Sequence, residues 1–164
     1  MFPGLLFAPD GQHDTSVIPS FDLRSYLGTW YEIARYDHRF ERGMDNVTAE
    51  YLLRDDGKVD VINSGWKNGK MKTAVGKAKQ PDPQGDPARL KVSFFWFFYS
   101  DYNIMMLDDD CGVALVGSSS PGYLWILSRT PSIDDSVLEK FLDEARRRGY
   151  DTSKLIYVDQ SLNV

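Results

Sequence analysis

Few residues of the types that most often carry catalysis occur in this 164-residue sequence, which holds one cysteine, Cys111, and two histidines, His13 and His38. A single cysteine excludes both an intramolecular disulfide and a cysteine-rich metal site. A nucleophilic cysteine also needs a base, and neither histidine is near Cys111 in the sequence. We interpret Cys111 as an inert, half-buried thiol. An enzyme that acts on a hydrophobic substrate through Cys111 or tyrosines is kept as the alternative.

One acidic run, Asp108-Asp109-Asp110, has ligand types suited to a divalent cation. It lacks the glycine and the terminal glutamate of a calcium-binding loop, so a solvated turn is predicted. The sequence also has no glycine-rich phosphate loop and no Gly-x-Ser-x-Gly motif. These observations favour a protein without catalytic activity, cofactor or metal.

Charge and composition narrow the class of partner. The formal net charge is -5, so the chain offers no basic field for nucleic acid. Hydrophobic residues make up 42% and charged residues 26%, which is typical of a globular chain. The aromatic content of 13% favours strands over helices. No apolar run is long enough for a membrane-spanning helix.

Short runs of alternating hydrophobicity, separated by turn residues, extend over most of the chain. We predict eight strands, at residues 29–36, 46–54, 57–64, 70–80, 88–95, 101–108, 111–118 and 121–129. Asp55-Asp56-Gly57 is a tight hairpin signal between the second and third. Strands at about ten-residue spacing predict an up-and-down antiparallel sheet, as a barrel or a sandwich.

One amphipathic helix follows the strands. Its predicted apolar face consists of Val137, Leu138, Phe141, Leu142 and Ala145. Ser132 and Asp135 fit a capping box, and Gly149 is a natural stop. This helix is expected to pack on the outside of the sheet, and residues 155–158 to form a short ninth strand.

Two separated motifs resemble the signatures of the lipocalin family. Gly28-Thr29-Trp30 is similar to the first signature, and Arg129, at the end of the eighth strand and just before the helix, is similar to the third. Leu107-Asp108-Asp109 keeps only the central Asp of the second. The resemblance covers about residues 17–160. It is closest to the bacterial outer-membrane lipoprotein lipocalins, in the apolipoprotein D-like branch.

The resemblance implies an all-β fold: an eight-stranded up-and-down antiparallel barrel, one C-terminal helix on its outside and a short ninth strand. It also implies that Trp30 closes one end of the barrel with Arg129 across its indole, while Gly28 permits the backbone bend. These three residues are expected to be structural.

The other end of the barrel would open into a cavity for a small hydrophobic or amphiphilic lipid, a fatty acid or a lysophospholipid, with a role in membrane maintenance or stress. Plain core packing is the alternative. Carrying the inward alternation along the strands and the first loop predicts the lining residues: Tyr36, Phe40, Ala49, Val61, Ala74, Val92, Phe94, Tyr102, Ile104, Met106, Tyr123, Trp125 and Leu127. Arg35, Arg39 and Arg42 are the candidates for an acidic head group.

The six aromatic residues from Phe94 to Tyr99 cannot all face a barrel interior. Exposed apolar patches usually mark interaction, so a homodimer interface or a membrane-contacting rim is predicted there. A protein-interaction module built on this ridge, in a barrel packed solid, is a further alternative.

A flexible extension is predicted for residues 1–16, before a single domain at 17–164. The family branch implies the cell envelope, in the periplasm or at the outer membrane. The family's N-terminal acylated cysteine has no counterpart before Cys111, so either the chain is trimmed or this member is soluble. Membrane anchoring is therefore not carried over from the family.

Overall fold

The computed structural model describes residues 13–95, 98–110 and 112–164, with the backbone alone at residues 94, 95, 98 and 99. Its architecture is nine antiparallel strands and one main helix. The strands are β1 (Gly28–Tyr36), β2 (Asp45–Leu53), β3 (Val59–Lys67), β4 (Lys70–Lys79), β5 (Arg89–Phe95), β6 (Phe98–Leu107), β7 (Val113–Gly117), β8 (Leu124–Ser128) and β9 (Leu155–Tyr157). A short helix α1 (Leu23–Tyr26) precedes β1, and helix α2 (Asp135–Arg147) follows β8.

The sheet closes on itself. Each of β1 to β8 pairs with its neighbour along the chain, and β1 pairs with both β2 and β8. The ninth strand pairs antiparallel with the second half of β1. The predicted eight-stranded up-and-down barrel with a short ninth strand is therefore confirmed.

Turn chemistry sets the register of the β3–β4 hairpin. Asn68 and Gly69, with φ of 54° and 74°, form a two-residue connection. A turn with φ > 0 at both central residues matches the twist of the strands that it joins. The ladder then continues without a bulge from the Lys67–Lys70 pair to Val59–Ala78. Every second residue of both strands thus faces the barrel interior.

Two bulges reverse the alternation elsewhere. The register of β1 against β8 shifts between Glu32 and Ala34, and that of β6 against β7 shifts between Ile104 and Met106. An extra residue moves every later side chain to the opposite face. Tyr36 and Met106 consequently pack in the cluster under helix α2. Their predicted place in the barrel lining is wrong.

Helix α2 covers the outside of the barrel, as predicted. Phe141, Leu142 and Ala145 are buried against strand residues such as Leu115 and Ile126. The predicted capping box is wrong: the N-cap is Asp134, and its side chain makes no capping hydrogen bond. The stop at Gly149 is confirmed by its φ of 97°. No helix in the described ranges has the length and apolarity to cross a membrane.

Residues 13–16 are packed on the barrel, which corrects the predicted flexibility of this part of the extension. The amide of Asp14 donates to the Arg148 carbonyl at 2.9 Å. The Arg148 guanidinium, itself buried, donates to the carbonyls of Asp14, Ser16 and Met105 at 2.7–3.0 Å. This arginine ties the segment to both the helix end and β6. Residues 1–12 lie outside the described part of the chain.

The closed end of the barrel contains the three signature residues. The Arg129 guanidinium lies 4.0 Å from the Trp30 ring centroid and donates to the carbonyls of Thr29 and Ser25. A Cβ on Gly28, which has a φ of 99°, would lie 3.3 Å from an Arg129 nitrogen. A side chain there would crowd the guanidinium as well as strain the backbone. All three residues therefore have the structural placement that the sequence predicts.

The C-terminal segment fills a gap between β1 and β2. The two strands pair only as far as Tyr31 and Thr48. Directly beyond that pair, the buried Gln160 amide donates to the carbonyls of Glu32 and Val47, each at 2.8 Å. One side chain thus satisfies two carbonyls that the ladder leaves without partners.

Candidate functional site

The barrel interior holds one apolar cluster, built from inward-facing residues of all eight barrel strands. Seven predicted lining residues belong to it or pack against it: Ala49, Val61, Val92, Tyr102, Ile104, Trp125 and Leu127. Ala74 lies on the same face of β4 as the buried Gly76 and Ala78, nearer the open end, and it is exposed. The side chain of Phe94 lies outside the described residues. The interior face therefore changes from buried apolar residues to exposed residues as it approaches the open end.

Three tyrosine hydroxyls meet within this cluster. Tyr102 Oη lies 2.6 Å from Tyr26 Oη and 2.9 Å from Tyr51 Oη. Burial raises the pKa of both Tyr51 and Tyr102, so they stay neutral at physiological pH. The interior thus presents uncharged hydroxyls, which suit a polar group on an apolar chain and not nucleophilic chemistry.

Above the tyrosines, a buried ion cluster occupies the wall beneath the open end. Arg35 is 1% exposed, and its Nη1 donates to Glu32 Oε1 at 3.1 Å. Its Nη2 donates to the carbonyls of Glu41 and Met44 at 2.8 and 3.1 Å. The bulge in β1 brings Glu32 and Arg35 to the same side although they are three positions apart. The Nη1 and Nη2 donors of Arg35 are thus engaged by protein groups, whereas the buried Nε has no hydrogen-bond partner among the described residues. The head-group role of Arg35 stays a prediction.

Glu41 connects the β1–β2 loop, residues 37–44, to the barrel. Its Oε1 accepts from Trp125 Nε1 at 3.0 Å and lies 2.7 Å from His38 Nε2. The His38 ring also makes edge-to-face contacts with Tyr123 and Trp125, with centroids 5.1 and 5.7 Å away. Tyr123 and Trp125, two predicted lining residues, therefore hold the loop in place beside the mouth.

The environments of Glu32 and Glu41 shift their pKa values in opposite directions. Burial raises the pKa of Glu32 well above its usual range, and the adjacent Glu41 carboxylate adds to the rise. Burial also acts to raise the pKa of Glu41, but hydrogen bonds from His38, Glu32 and Trp125 lower it to about 2. Glu32 thus carries the proton while Glu41 balances the Arg35 charge. The buried cluster is neutral in this state, which avoids an uncompensated charge in the wall.

The loop presents its remaining side chains outward. Phe40 is 54% exposed, and the Arg39 guanidinium lies 4.9 Å from its ring centroid. Arg42 Nε donates to Asp37 Oδ2 at 3.4 Å. Contact of Phe40, Arg39 and Arg42 with a ligand stays a prediction.

Three lysines at the open end were missed by the sequence analysis. Lys67, Lys70 and Lys72 continue the interior face of β3 and β4, where Lys67 pairs with Lys70 and Gly65 with Lys72. They share this face with Val59, Val61 and Asn63, farther down the barrel. Extending the alternation of β3 to its last residue would have identified Lys67.

The described residues give no support to a metal or a catalytic site. Among them, no group of three or more histidine, cysteine, aspartate or glutamate residues could hold a metal ion. Asp108 Oδ1 instead accepts from the amides of Gly112 and Val113, as a turn-stabilising residue does. Cys111 lies outside the described residues.

Comparisons with known proteins agree with this architecture. The lipocalin-like domain family matches residues 21–160. The Escherichia coli K12 outer membrane lipoprotein Blc is 50% identical over 157 residues, covering 93% of this chain and 87% of that protein. The temperature-induced lipocalin-1 of Arabidopsis thaliana is 37% identical over 157 residues, covering 90% and 84%. The structure of insecticyanin from the tobacco hornworm Manduca sexta is similar with a TM-score of 0.77 at 23% identity, covering 94% of this chain and 88% of that one.

Proposed function

Because this chain belongs to the lipocalin family, we propose that it binds and carries one small hydrophobic or amphiphilic lipid inside its barrel. The fatty acid and lysophospholipid classes fit best, since each has one apolar chain and one polar end. The observation that supports this proposal is the change along the interior face of the barrel. That face is apolar and buried deep in the barrel and polar at the open end. The β1–β2 loop, which Glu41 connects to the barrel, lies beside that end.

The expected affinity follows from the buried chain. A twelve-carbon tail gains about 10 kcal/mol at about 0.8 kcal/mol per buried CH₂ group. Association and ordering oppose this by about 4–15 kcal/mol. A dissociation constant in the micromolar range is therefore expected.

We infer binding, not catalysis, from the chemistry of the interior. Two of the tyrosines whose hydroxyls meet there, Tyr51 and Tyr102, have raised pKa values, and Glu41 accepts a hydrogen bond from Trp125 and contacts His38. Such groups are suited to orienting a ligand.

The cell envelope is the proposed location, and membrane maintenance or stress the proposed role. Support comes from the 50% identical relative, whose name describes an outer membrane lipoprotein. The homodimer and the membrane-surface contact predicted for Phe94 to Tyr99 stay predictions, because those side chains lie outside the described residues.

The test is a pair of substitutions on adjacent residues of β4. Ala74→Trp adds bulk on the interior face, whereas Val75→Trp adds it on the outer face, where Val75 is 65% exposed. Palmitate and a lysophospholipid are titrated calorimetrically below their critical micelle concentrations, and the wild type is inspected by native mass spectrometry for bound lipid.

Carriage inside the barrel requires saturable micromolar binding by the wild type, unchanged binding by Val75→Trp and at least tenfold weaker binding by Ala74→Trp. Equal loss in the two variants would place the ligand elsewhere. No binding of either amphiphile by the folded wild type would refute the proposal.

A further inference from the structure

The mouth of the barrel concentrates positive charge on one side. Lys67, Lys70 and Lys72 lie on the interior face of the β3–β4 hairpin, at its tip. The hairpin tip also touches the β1–β2 loop, since a Cβ on Gly43 would lie 3.6 Å from Lys67 Cε. The three lysines therefore border the opening next to the loop, and they do so in a chain of net charge -5.

Sheet pairing places two of these cations against each other. Lys67 and Lys70 are direct cross-strand partners that flank the two-residue turn. Side chains in such a pair have Cβ atoms about 5 Å apart, and like charges there destabilise the sheet. No ion pair joins any of the three ammonium groups to a carboxylate of the described ranges, whereas Lys91 on the neighbouring β5 contacts Asp101 at 2.6 Å. An unbalanced cationic pair is a local cost that a bound anion would relieve.

The arginines first considered for this role have other partners. Arg35 is neutralised by Glu41 and donates to Glu32 and two carbonyls. Arg42 contacts Asp37. Arg39 lies over the Phe40 ring and has no carboxylate partner among the described residues, so its charge is also free, but it is carried outward on the loop. The lysines are the unbalanced cations that lie on the interior face, above the apolar interior.

We infer that Lys67, Lys70 and Lys72 form an anionic head-group site, so that the carried lipid is a single-chain amphiphile with a carboxylate or phosphate at its polar end. This inference rests on the proposed carriage of an amphiphile. The acyl chain lies along the interior face toward Val61 and Ile104, and its anionic end lies between the hairpin tip and the β1–β2 loop. Several ammonium groups on flexible stems suit either anion, because each acts as a point charge without fixed geometry.

The test combines a triple variant, in which each of the three lysines is replaced by glutamine, with ligands that differ only in head group. Palmitate and a palmitoyl lysophosphatidate supply the carboxylate and the phosphate, and monopalmitoylglycerol supplies the same chain without charge. The matched control replaces Lys58, Lys77 and Lys140, all exposed and away from the mouth, with glutamine. It changes the net charge of the protein by the same amount.

The expected result is about tenfold weaker binding of both anions by the mouth variant, with monopalmitoylglycerol unchanged. Wild-type affinity for the anions should fall as salt is raised, and the mouth variant should lose most of that dependence. The control should bind all three ligands like the wild type. A larger effect on one anion than on the other identifies the head group that the site prefers.

Three results overturn the inference and are separable from failure of carriage. Equal weakening in the control would assign the effect to overall charge. Unchanged anion binding by the mouth variant, with saturable binding of the neutral ligand, would leave carriage intact without this site. If the mouth variant loses only its binding to anionic vesicles and still binds free amphiphile like the wild type, the lysines dock the protein on a surface and do not hold a head group.

Discussion

Glu41 on the β1–β2 loop accepts a hydrogen bond from the indole of Trp125 on β8, at 3.0 Å and 84 positions apart in the chain. This contact joins a mouth loop to the barrel wall through one carboxylate. The same oxygen lies 2.7 Å from His38, so the loop closes on itself at that point. Position and charge of Glu41 therefore set where the loop lies.

Replacing this carboxylate should release the loop. In Glu41→Gln, Arg35 loses one nearby carboxylate and keeps Asp37, 3.5 Å from its Nη2. We expect the free energy of unfolding to fall by about 1–3 kcal/mol. Trp125 should become more exposed, so the tryptophan emission of the folded variant should be red-shifted. A urea titration followed by fluorescence measures both this emission and the free energy of unfolding. Glu50→Gln, on the outer face of β2 opposite Ile62, is the control and should change neither quantity. A variant with wild-type emission and stability would contradict the role assigned to Glu41.

The opposite pKa shifts of Glu32 and Glu41 make stability depend on pH. The folded-state pKa of Glu32 lies well above its ordinary value of 4.5, so the folded chain keeps a proton that the unfolded chain releases. Its contribution is therefore fully present below about pH 4.5 and is lost as pH rises toward the folded-state pKa. Glu41 acts oppositely, because its lowered pKa gives stability above 4.5 that is lost as pH falls toward 2.

Glu32→Gln should remove the first of these dependences. The amide keeps a donor toward Glu41 but cannot ionise, so the variant should gain on the wild type as pH rises above 4.5, by up to about 1.4 kcal/mol per pH unit. Urea unfolding at a series of pH values from 4.5 to 8 measures the difference. Parallel curves for the two proteins would mean that Glu32 is ionised in the folded chain at neutral pH.

Alternating hydrophobicity was sufficient to predict the strands, the outer helix and most of the interior face. It failed at Tyr36 and Met106 because a bulge precedes each of them in its strand. A bulge is a feature of pairing between strands, and no proline or glycine lies beside the bulge in either β1 or β6 to mark the position. The buried Glu32–Arg35 pair depends on the bulge in β1, so the hydrophobic alternation does not predict this pair either.

The mouth lysines were overlooked for a different reason. The head-group candidates predicted from the sequence are arginines of β1 and the first loop, and no role is predicted for Lys67 or Lys70. Alternation along β3 extends the interior face to Lys67, and the register of β3 against β4 shows that Lys70 and Lys72 share it. For a site made by neighbouring strands, residue type is visible in the sequence, but the shared face is certain only after pairing is known.

Tyr36 and Tyr102 offer a direct test of the corrected interior. Tyr36 Oη donates to the Asp151 carbonyl at 3.0 Å on the helix side, whereas Tyr102 Oη bonds two tyrosines inside the barrel. Tyr36→Phe should lower the free energy of unfolding by about 1 kcal/mol and leave ligand affinity unchanged. Tyr102→Phe should lower stability similarly and alter amphiphile affinity measured by calorimetry. Altered amphiphile affinity in Tyr36→Phe would contradict this correction and show that Tyr36 lines the ligand site.

Gln160 governs the gap between β1 and β2. Its amide donates to the carbonyls of Glu32 and Val47 directly beyond the last ladder pair, and its Oε1 accepts from Asn163 at 2.6 Å. Gln160→Ala leaves two buried carbonyls without partners, which should lower the free energy of unfolding by about 2–4 kcal/mol. Because Glu32 belongs to the buried ion cluster, the loss should also loosen the wall beneath the mouth.

Hydrogen exchange locates that effect. Amides of Ile33 and Thr48 should exchange faster in Gln160→Ala, while those of β6 and β7 should keep their wild-type order of protection. Leu162→Ala is the neighbouring control, since Leu162 is 63% exposed and its truncation removes little buried area. Uniformly faster exchange across all strands would indicate a global loss of stability instead. Faster exchange confined to β1 and β2 would show that the C-terminal segment closes the barrel locally, through one amide that substitutes for a missing strand pair.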